Sequence, residues 1–247
     1  MRVSKYNASG NDFVIFHTFV SKDRSELAKR LCDRFNGIGA DGLIVLLPFE
    51  NGVKWEFYNN DGSYAAMCGN GSRAALLYAV TNKLTNANDI TLATGAGSVS
   101  GSVSGDIVEV ELTSPVKLAD KFSEEGREWY FYDTGVPHLV SFCEDLSEFD
   151  LNLARKMRQH HNANVNFAKV EGGNLLVRTY ERGVEAETNA CGTGMAACFY
   201  AGVKNLGLKE QISVFPKSGE ELGLRLKDEK IFFKGKVRHC FDANFME

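Results

Sequence analysis

Cys-Gly-Asn-Gly at residues 68–71 and Cys-Gly-Thr-Gly at residues 191–194 are two copies of one short pattern. Each copy runs directly into a segment of small, helix-forming residues, Ser-Arg-Ala-Ala at 72–75 and Met-Ala-Ala-Cys at 195–198. The two copies lie half a chain length apart. This repetition predicts a duplicated domain with one such cysteine in each half.

The pattern suits a particular kind of acid–base chemistry. Glycines let the backbone turn tightly, and the first N–H groups of a helix lack internal partners and carry partial positive charge. A carboxylate binds well at such a terminus, and a cysteine there has a lowered pKa and more thiolate character. If the two turns face each other, Cys68 and Cys191 could hold one anionic substrate between them. They could then move a proton from one face of a carbon to the other.

Composition narrows the other possibilities. The chain has 247 residues, enough for one large domain or two of ordinary size, and 44% of them are hydrophobic. A net charge of −4 and the absence of a long basic run argue against a nucleic-acid partner. The first residues contain no apolar signal-peptide core, and no stretch approaches the length of a membrane span. We therefore expect a soluble, cytoplasmic protein without membrane contact.

The six cysteines show no metal or disulfide pattern. No Cys-x-x-Cys pair occurs, so we expect no metal site. Without a secretion signal we also expect no disulfide framework. The four cysteines outside the repeated turns are expected to be small core residues, namely Cys32, Cys143, Cys198 and Cys240.

Hydrophobic periodicity predicts a few helices among many short strands. The expected helices are Ser25–Phe35, Ser72–Lys83, Leu151–His160 and Met195–Asn205. The expected strand regions are Val3–Phe16 with a turn inside it, Leu43–Leu47, Val53–Tyr58, Ile90–Leu112, Trp129–Tyr132, Leu139–Phe142, Asn174–Tyr180, Gln211–Phe215 and Ile231–Val237. Thr113–Pro115 is the best candidate linker. It predicts an N-terminal half, residues 1–113 completed by a C-terminal strand at 236–247, and a C-terminal half, residues 114–235.

Further stretches accompany the two cysteine turns in an order and spacing that match one known family. They are Gly10–Phe13, Gly39–Gly42, Asn59–Gly71, Gly135–His138, Asn164–Phe167 and Tyr180–Gly194. Together they span nearly the whole chain, and the sequence resembles diaminopimelate epimerase.

The resemblance implies both a fold and an activity. The fold is α+β, with two similar, pseudo-twofold domains, each a mixed, curled β-sheet around a central helix, and an active site in the cleft between them. The activity is interconversion of LL- and meso-2,6-diaminopimelate, on the route to lysine and peptidoglycan. The resemblance also implies that no cofactor is needed and that the enzyme is a homodimer.

The resemblance further implies roles for individual residues. Cys68 and Cys191 match the two acid–base residues of a two-base stereoinversion, in which one thiolate removes the α-proton and the other thiol delivers a proton to the opposite face. His138 and Glu181 match neighbours that tune the thiols and hold the reacting amino group. Backbone N–H groups implied to hold the reacting carboxylate belong to Gly69, Asn70, Gly192 and Thr193. Side chains implied to bind the rest of the substrate are Asn11, Asn59, Asn164 and Arg182, together with Glu181.

Three positions depart from the family pattern. Val136 stands where many members have asparagine before the Pro-His pair, so one substrate hydrogen bond is not implied here. Gly42 stands where some members have glutamine, so no side-chain contact is carried over. The stretch 183–188 is one residue longer than the common form, which is expected to alter the loop but not the turn after it.

Three other functions remain compatible with the residues. The first is another amino-acid racemase of the same fold, such as a proline racemase, although Asn59, Asn164 and Arg182 favour a substrate with a second charged end. The second is a dithiol redox protein, although such proteins normally use closely spaced cysteines. The third is a pure binding module, which would keep its ligand affinity with both cysteines changed to alanine.

Overall fold

The computed structural model describes residues 1–50, 52–86 and 88–246, and these residues divide into two compact units. The first unit comprises Met1–Val110 and Gly235–Glu247, and the second comprises Glu111–Lys234. The domain limits predicted from the sequence stay a prediction, because compactness alone does not establish independent folding. No helix within the described ranges is long and apolar enough to cross a membrane.

The first unit is built on one mixed sheet of eight strands, numbered here in order along the whole chain. They are β1 (Arg2–Ala8), β2 (Asn11–His17), β3 (Gly42–Phe49), β4 (Gly52–Asn59), β5 (Ile90–Thr94), β6 (Gly97–Ser104), β7 (Ile107–Glu111) and β17 (Arg238–Asn244). Their order in the sheet is β17-β1-β2-β3-β4-β5-β6-β7. Only the β2–β3 and β4–β5 pairs are parallel.

Two helices supply the crossovers that these parallel pairs require. Helix α1 (Ser25–Cys32) connects β2 to β3, and helix α2 (Gly69–Thr81) connects β4 to β5. Helix α2 is buried from Gly69 to Ala79 and contacts β1, β2, β3, β5 and β6. Strands lie about 4.8 Å apart and a helix is about 10 Å wide. One helix can therefore touch so many strands only if the sheet curls around it.

The second unit repeats this plan. Its strands are β8 (Val116–Glu124), β9 (Arg127–Asp133), β10 (Pro137–Phe142), β11 (Asn164–Glu171), β12 (Asn174–Glu181), β13 (Ala186–Thr188), β14 (Gln211–Pro216), β15 (Leu222–Lys227) and β16 (Lys230–Lys236). The order is β8-β9-β10-β11-β12-β14-β15-β16, and only the β10–β11 and β12–β14 pairs are parallel. The short β13 pairs with the end of β12. The sequence of parallel and antiparallel pairs is thus the same in both units.

The helices of the second unit occupy the same places in this plan. Helix α3 (Leu151–His161) connects β10 to β11, and helix α4 (Gly192–Leu206) leads from β13 into β14. The Asp150 side chain caps α3, and Gly207 ends α4 in a left-handed conformation with φ of 72°. Helix α4 contacts β9, β10, β11, β12 and β15. The predicted α+β fold, with mixed sheets and few helices, is confirmed.

Several predicted elements have different limits. Helix α1 ends at Cys32 rather than Phe35, because the Asp33 carboxylate accepts the Phe35 and Asn36 N–H groups and closes a turn there. Phe35 is consequently 96% exposed instead of lying on the apolar face of a helix. Helix α2 begins at Gly69, within the repeated turn itself, rather than at Ser72.

Strands β8, β11, β13 and β15 were not among the predicted strands, and β8 and β15 were missed for different reasons. Strand β8 is exposed along most of its length, so it lacks the polar–apolar alternation of a half-buried strand. Strand β15 does alternate, with Leu222, Leu224 and Leu226 buried, and its period of two was a usable signal.

Candidate active site

In the second unit, a row of buried polar side chains lies beside the N-terminus of α4. His138 on β10 is the register partner of Asn164 on β11, and Asn166 on β11 is the partner of Thr179 on β12. Side chains at paired or alternate positions point to the same face of a sheet. All four residues are buried. The three strands therefore present one polar cluster to α4.

Asn166 and Thr179 were not among the site residues expected from the sequence. The signal that could have found them is the alternation in Asn-Val-Asn-Phe at 164–167. Val165 and Phe167 belong to the apolar cluster that packs against α3. Period-two alternation then places Asn166 on the opposite face, together with Asn164.

Cys191 is the N-cap residue of α4, with extended backbone angles of φ −121° and ψ 108°. Its side chain is largely buried, and its Sγ lies 3.5 Å from the Thr193 hydroxyl. The helix N-terminus and a nearby hydroxyl both favour negative charge on the sulfur. The local structure therefore fits the predicted acid–base role of Cys191.

His138 lies fully buried between β11 and the first turn of α4. Its Nε2 is 2.9 Å from Thr193 Oγ1, and its Nδ1 is 3.1 Å from Asn166 Nδ2. Burial lowers the pKa of His138 to about 3, and the nearby charge of Arg182 acts in the same direction. His138 is therefore a neutral imidazole at physiological pH and acts through its hydrogen bonds.

Asn164 and Arg182 lie together at the ends of β11 and β12. The Arg182 backbone N–H donates to Asn164 Oδ1 at 2.8 Å, and Asn164 Nδ2 donates to the Pro137 carbonyl at 3.1 Å. The Arg182 guanidinium donates to the Asn162 carbonyl at 2.8 Å. Asn164, on β11, thus connects β10 with the end of β12. The predicted substrate contacts of Asn164 and Arg182 stay predictions.

Glu181 is the last residue of β12 and lies next to Arg182. Burial raises the pKa of Glu181 above its ordinary value, and the Thr188 side chain partly opposes that rise. A carboxyl with a raised pKa can hold or release a proton closer to neutral pH. The predicted place of Glu181 beside a reacting amino group stays a prediction.

Gly194 is the last residue of the repeated turn and lies against the polar cluster. A Cβ at this position would overlap Asn166 Oδ1 and would lie 3.1 Å from Thr179 Oγ1. Only glycine lets the first turn of α4 approach β11 and β12 so closely. The second glycine of the Cys-Gly-Thr-Gly pattern is therefore explained by packing against Asn166.

In the first unit, Cys68 is the N-cap residue of α2. The Gly71 N–H donates to Cys68 Sγ at 3.3 Å, and the Cys68 thiol lies 3.7 Å from Asn11 Oδ1. A Cβ on Gly71 would lie 3.3 Å from the Cys68 Cβ and 3.4 Å from the Trp55 ring. The glycine thus leaves room for the cysteine side chain at the helix N-terminus.

Asn11 is held in position by Asp41, which the sequence did not single out. Asn11 Nδ2 donates to Asp41 Oδ2 at 2.6 Å, and the Asp12 N–H donates to the same oxygen at 3.1 Å. Arg34 Nη2 donates to Asp41 Oδ1 at 2.7 Å. Because a carboxylate only accepts, the amide nitrogen of Asn11 faces Asp41 and its oxygen faces Cys68.

Asn70 and Asn59 have different surroundings. Asn70 is buried in the first turn of α2, where Arg73 Nη2 donates to its Oδ1 at 2.8 Å. Asn59 ends β4 in an exposed turn, and its Nδ2 donates to Ser63 Oγ at 3.0 Å. The predicted substrate contacts of both residues stay predictions.

The chain matches the model of the family described as "Diaminopimelate epimerase" over residues 3–118 and 130–240. The chain belongs to the diaminopimelate epimerase family. A protein named diaminopimelate epimerase from Campylobacter jejuni subsp. jejuni is 54% identical to it over 247 residues, with 99% of both sequences covered. The family resemblance stated from the motifs is therefore confirmed.

Solved structures share the fold at much lower identity. A phenazine biosynthesis protein of the PhzF family from Enterococcus faecalis matches with a TM-score of 0.76 and 12% identity over 99% of both chains. A probable proline racemase from Agrobacterium radiobacter K84, with bound carbonate, matches with a TM-score of 0.75 and 12% identity. That match covers 99% of this chain and 92% of the other. At such identities the likeness shows the fold alone.

Two of the three departures from the diaminopimelate epimerase pattern can be described from local contacts. A Cβ on Gly42 would lie 2.6 Å from the Phe57 ring and 2.8 Å from the Tyr58 carbonyl, so the glutamine of other family members does not fit here without backbone movement. In the longer stretch at 183–188, the Glu185 N–H donates to the Glu181 carbonyl at 2.8 Å and closes a turn before β13.

The cysteines outside the repeated turns differ in burial. Cys32 and Cys198 are core residues, as expected, and burial raises the pKa of Cys32 to about 12 and that of Cys198 well above its ordinary value. Cys143 is partly buried, and its pKa is also raised by burial. The expectation for Cys240 was wrong. It is exposed because β17 is exposed along most of its length.

One group of three possible metal ligands occurs among residues 1–50, 52–86 and 88–246. It consists of Glu124, His160 and His161 and includes none of the cysteines. His160 Nδ1 lies 2.7 Å from one Glu124 oxygen, and His161 Nε2 lies 2.9 Å from the other. These hydrogen bonds account for the grouping, and the expected absence of a metal requirement stays a prediction.

Proposed function

We propose that this chain interconverts LL- and meso-2,6-diaminopimelate, with Cys68 and Cys191 as the acid–base pair. One observation carries the proposal. In a chain 54% identical to a diaminopimelate epimerase, each cysteine is the N-cap residue of the central helix in a unit of the same strand plan. A helix N-terminus supports both thiolate formation and carboxylate binding.

In the proposed reaction, one cysteine acts as thiolate and takes the α-proton while the C–H bond breaks. The other acts as thiol and gives its proton to the opposite face of the same carbon, so the two sulfurs exchange protonation states in each turnover. Carbanion character at the α-carbon spreads into the carboxylate, where preorganised donors stabilise it. The proposed donors are the N–H groups of Gly69, Asn70, Gly192 and Thr193.

The remaining site residues bind the other substrate groups in this proposal. Arg182 offers a planar guanidinium suited to a second carboxylate. Glu181 holds the reacting amino group, and the neutral His138 tunes the thiols. Asn11, Asn59 and Asn164 complete the polar contacts. A substrate with two charged ends uses all of these groups, whereas proline leaves Arg182 without a partner from the substrate.

The proposal includes a cytoplasmic homodimer that works without cofactor, as the family resemblance implies. Sedimentation of the purified protein tests the dimer. Activity that persists after dialysis against chelator and treatment with hydroxylamine tests independence from metal and from a carbonyl cofactor. Loss of activity after either treatment would contradict that part of the proposal.

The decisive experiment is incubation of the protein with LL-diaminopimelate in deuterium oxide, followed by chiral analysis. We expect the meso isomer with deuterium at the inverted carbon. The Cys68→Ala and Cys191→Ala variants should not form it, whereas Cys240→Ala, which changes an exposed cysteine, should. Racemisation of proline instead would favour a related racemase. Binding without exchange would favour a binding module, and disulfide turnover would favour a redox protein.

A further inference from the structure

Asn166 has a fixed amide orientation inside the polar cluster. Its Nδ2 donates to the Leu139 carbonyl at 2.8 Å, and a carbonyl can only accept. On the other side, the Thr179 hydroxyl donates to Asn166 Oδ1 at 2.8 Å. The nitrogen therefore faces Leu139 and His138, and the oxygen faces Thr179. Asn166 and Thr179 are both buried, so water does not compete for these bonds.

This orientation determines which nitrogen of His138 carries the proton. Asn166 Nδ2 lies 3.1 Å from His138 Nδ1, and an amide nitrogen only donates, so Nδ1 must be the acceptor. A neutral imidazole has one N–H group, and it is then on Nε2. That N–H points to Thr193 Oγ1 at 2.9 Å. The other neighbour of Nε2, Asn164 Nδ2 at 3.4 Å, is itself a donor.

The proton on Nε2 in turn orients the Thr193 hydroxyl. Because Thr193 Oγ1 accepts from His138, its own hydrogen remains available for another acceptor. Cys191 Sγ lies 3.5 Å from this oxygen, within the range for a sulfur hydrogen bond. Donation from Thr193 favours the thiolate form of Cys191 over the thiol, because hydrogen bonds to a charged form stabilise it.

We infer that Asn166 is a positioning residue which fixes the tautomer of His138 and so makes the Thr193 hydroxyl a donor to the Cys191 thiolate. The order of donation is Asn166 to His138, His138 to Thr193, and Thr193 to Cys191. Because Gly194 has no side chain, α4 lies close enough to β11 for these three hydrogen bonds to form. The inference rests on the proposed acid–base role of Cys191, but its tests do not depend on turnover.

The first test measures the tautomer in the unmodified protein. Nitrogen-15 chemical shifts of labelled histidine distinguish a protonated from an unprotonated ring nitrogen. The signal of His138 is the one missing from the His138→Gln protein. We expect the proton on Nε2 at neutral pH. A proton on Nδ1 would overturn the inference, whatever the protein's activity.

The second test measures thiolate character at each cysteine. Peptide mapping after limited iodoacetamide treatment gives separate alkylation rates for Cys191 and Cys68, and Cys68 serves as an internal control. Asn166→Asp puts an acceptor opposite His138 Nδ1, so the tautomer reverses and the Thr193 hydroxyl turns to Nε2. We expect alkylation of Cys191 to slow about tenfold or more, the size of losing a hydrogen bond to a charged group, with Cys68 unchanged.

Two further variants separate this role from a merely structural one. Thr193→Val removes the hydroxyl and should reproduce the slow alkylation of Cys191, whereas Thr193→Ser should restore it. Thr179→Val is the matched control, because it removes a buried bond to Asn166 while Leu139 still fixes the amide orientation. It should leave the Cys191 rate near that of the unmodified protein.

The outcomes distinguish the inference from the proposed function. Suppose that Cys191 alkylation is slow in Asn166→Asp and Thr193→Val but that the unmodified protein does not turn over diaminopimelate. This result would support the inference and overturn the proposed function. Unchanged alkylation in both variants would overturn the inference even if epimerisation is normal. If the unmodified protein does epimerise diaminopimelate, the pH at which kcat reaches half its maximum should be higher in Asn166→Asp, because the Cys191 thiolate forms less readily. KM should change little.

Discussion

The Asp41 carboxylate accepts a hydrogen bond of 2.6 Å from the side-chain amide of Asn11. Asp41 acts toward Cys68 through Asn11, because it decides which end of the Asn11 amide faces that cysteine. Arg34 holds the other carboxylate oxygen in place at 2.7 Å. The hydrogen bond between Asp41 and Asn11 thus joins the loop before β3 to the first residue of β2, beside the proposed acid–base site.

The Asp41→Asn protein is predicted to fold but to lose activity. An amide at residue 41 can present a nitrogen to Asn11, which would then turn its own nitrogen toward Cys68. We expect kcat to fall about tenfold to a hundredfold, the range in which small displacements of catalytic groups operate. Asp23→Asn, which alters an exposed carboxylate bonded to Ser25, is the control and should keep full activity. An unchanged kcat for Asp41→Asn would show that Asn11 needs no such support.

The acid–base assignment predicts that neither cysteine can replace the other. Changing Cys68 or Cys191 to alanine should lower the epimerisation rate by at least about a hundredfold, because general acid–base groups contribute roughly 10²–10⁴-fold. Circular dichroism should show that the fold survives. Cys143→Ala is the control for loss of a partly buried thiol and should retain most of the rate. Retention of more than about a tenth of the rate in Cys191→Ala would contradict the assignment.

Arg182 is predicted to bind a substrate carboxylate through its planar guanidinium, which lysine does not reproduce. Arg182→Lys should raise KM for diaminopimelate by about tenfold or more, since a hydrogen bond between charged groups contributes roughly 1.5–3 kcal/mol. Arg155→Lys is the matched control, because Arg155 lies on α3 and bonds to the Tyr180 hydroxyl at 3.3 Å. If KM is the same in both variants, Arg182 only braces the Asn162 carbonyl.

Gly194→Ala is predicted to destabilise the protein, although alanine is normally the better helix former. The added methyl group would overlap Asn166 Oδ1, and overpacking of this kind typically costs about 1–3 kcal/mol. Urea denaturation should show a lower free energy of unfolding. Gly223→Ala in β15 is the control, because a Cβ there meets only ordinary contacts, the nearest being the Lys234 Cβ at 3.4 Å. Equal stability of the two variants would contradict the close approach of α4 to β11.

The burial of neutral His138 predicts a dependence of stability on pH. In the unfolded chain histidine has a pKa of about 6.5, whereas burial lowers it to about 3 in the folded protein. Between these values the unfolded chain binds one more proton, so the free energy of unfolding falls as pH falls. The slope from this residue is at most about 1.4 kcal/mol per pH unit. Above about pH 7 its contribution is fully present.

The measurement compares urea unfolding of the unmodified protein and His138→Gln between about pH 7 and pH 5, a range in which carboxylates contribute little. Titration of the other histidines is common to both proteins and cancels in the difference. The unmodified protein should lose stability more steeply than the variant as pH falls. Parallel pH curves for the two proteins would mean that His138 is not buried as a neutral group.

Much of the fold and part of the site followed from local sequence pattern. The repeated Cys-Gly-x-Gly turns predicted a helix after each cysteine, and both helices begin three residues earlier than predicted, immediately after the cysteine. For most half-buried elements the period of the apolar residues located the element, although β15 was missed despite its alternating leucines. Strand β8 was missed because it is exposed on both faces, and the end of α1 was misplaced because a local Asp33 turn overrode the apolar spacing.

The sequence by itself determined the duplication, the two helix-terminal cysteines and membership of the diaminopimelate epimerase family, because these depend on residues close together in the chain or on their order along it. Only the tertiary structure decided that Asp41 orients Asn11, and that Asn166 orients His138. Both relationships join residues that lie far apart in the chain, and they depend on how the chain brings them together and on which end of an amide faces which neighbour. Hydrogen-bond direction is a property of that three-dimensional arrangement, and the order of residues along the chain does not specify it.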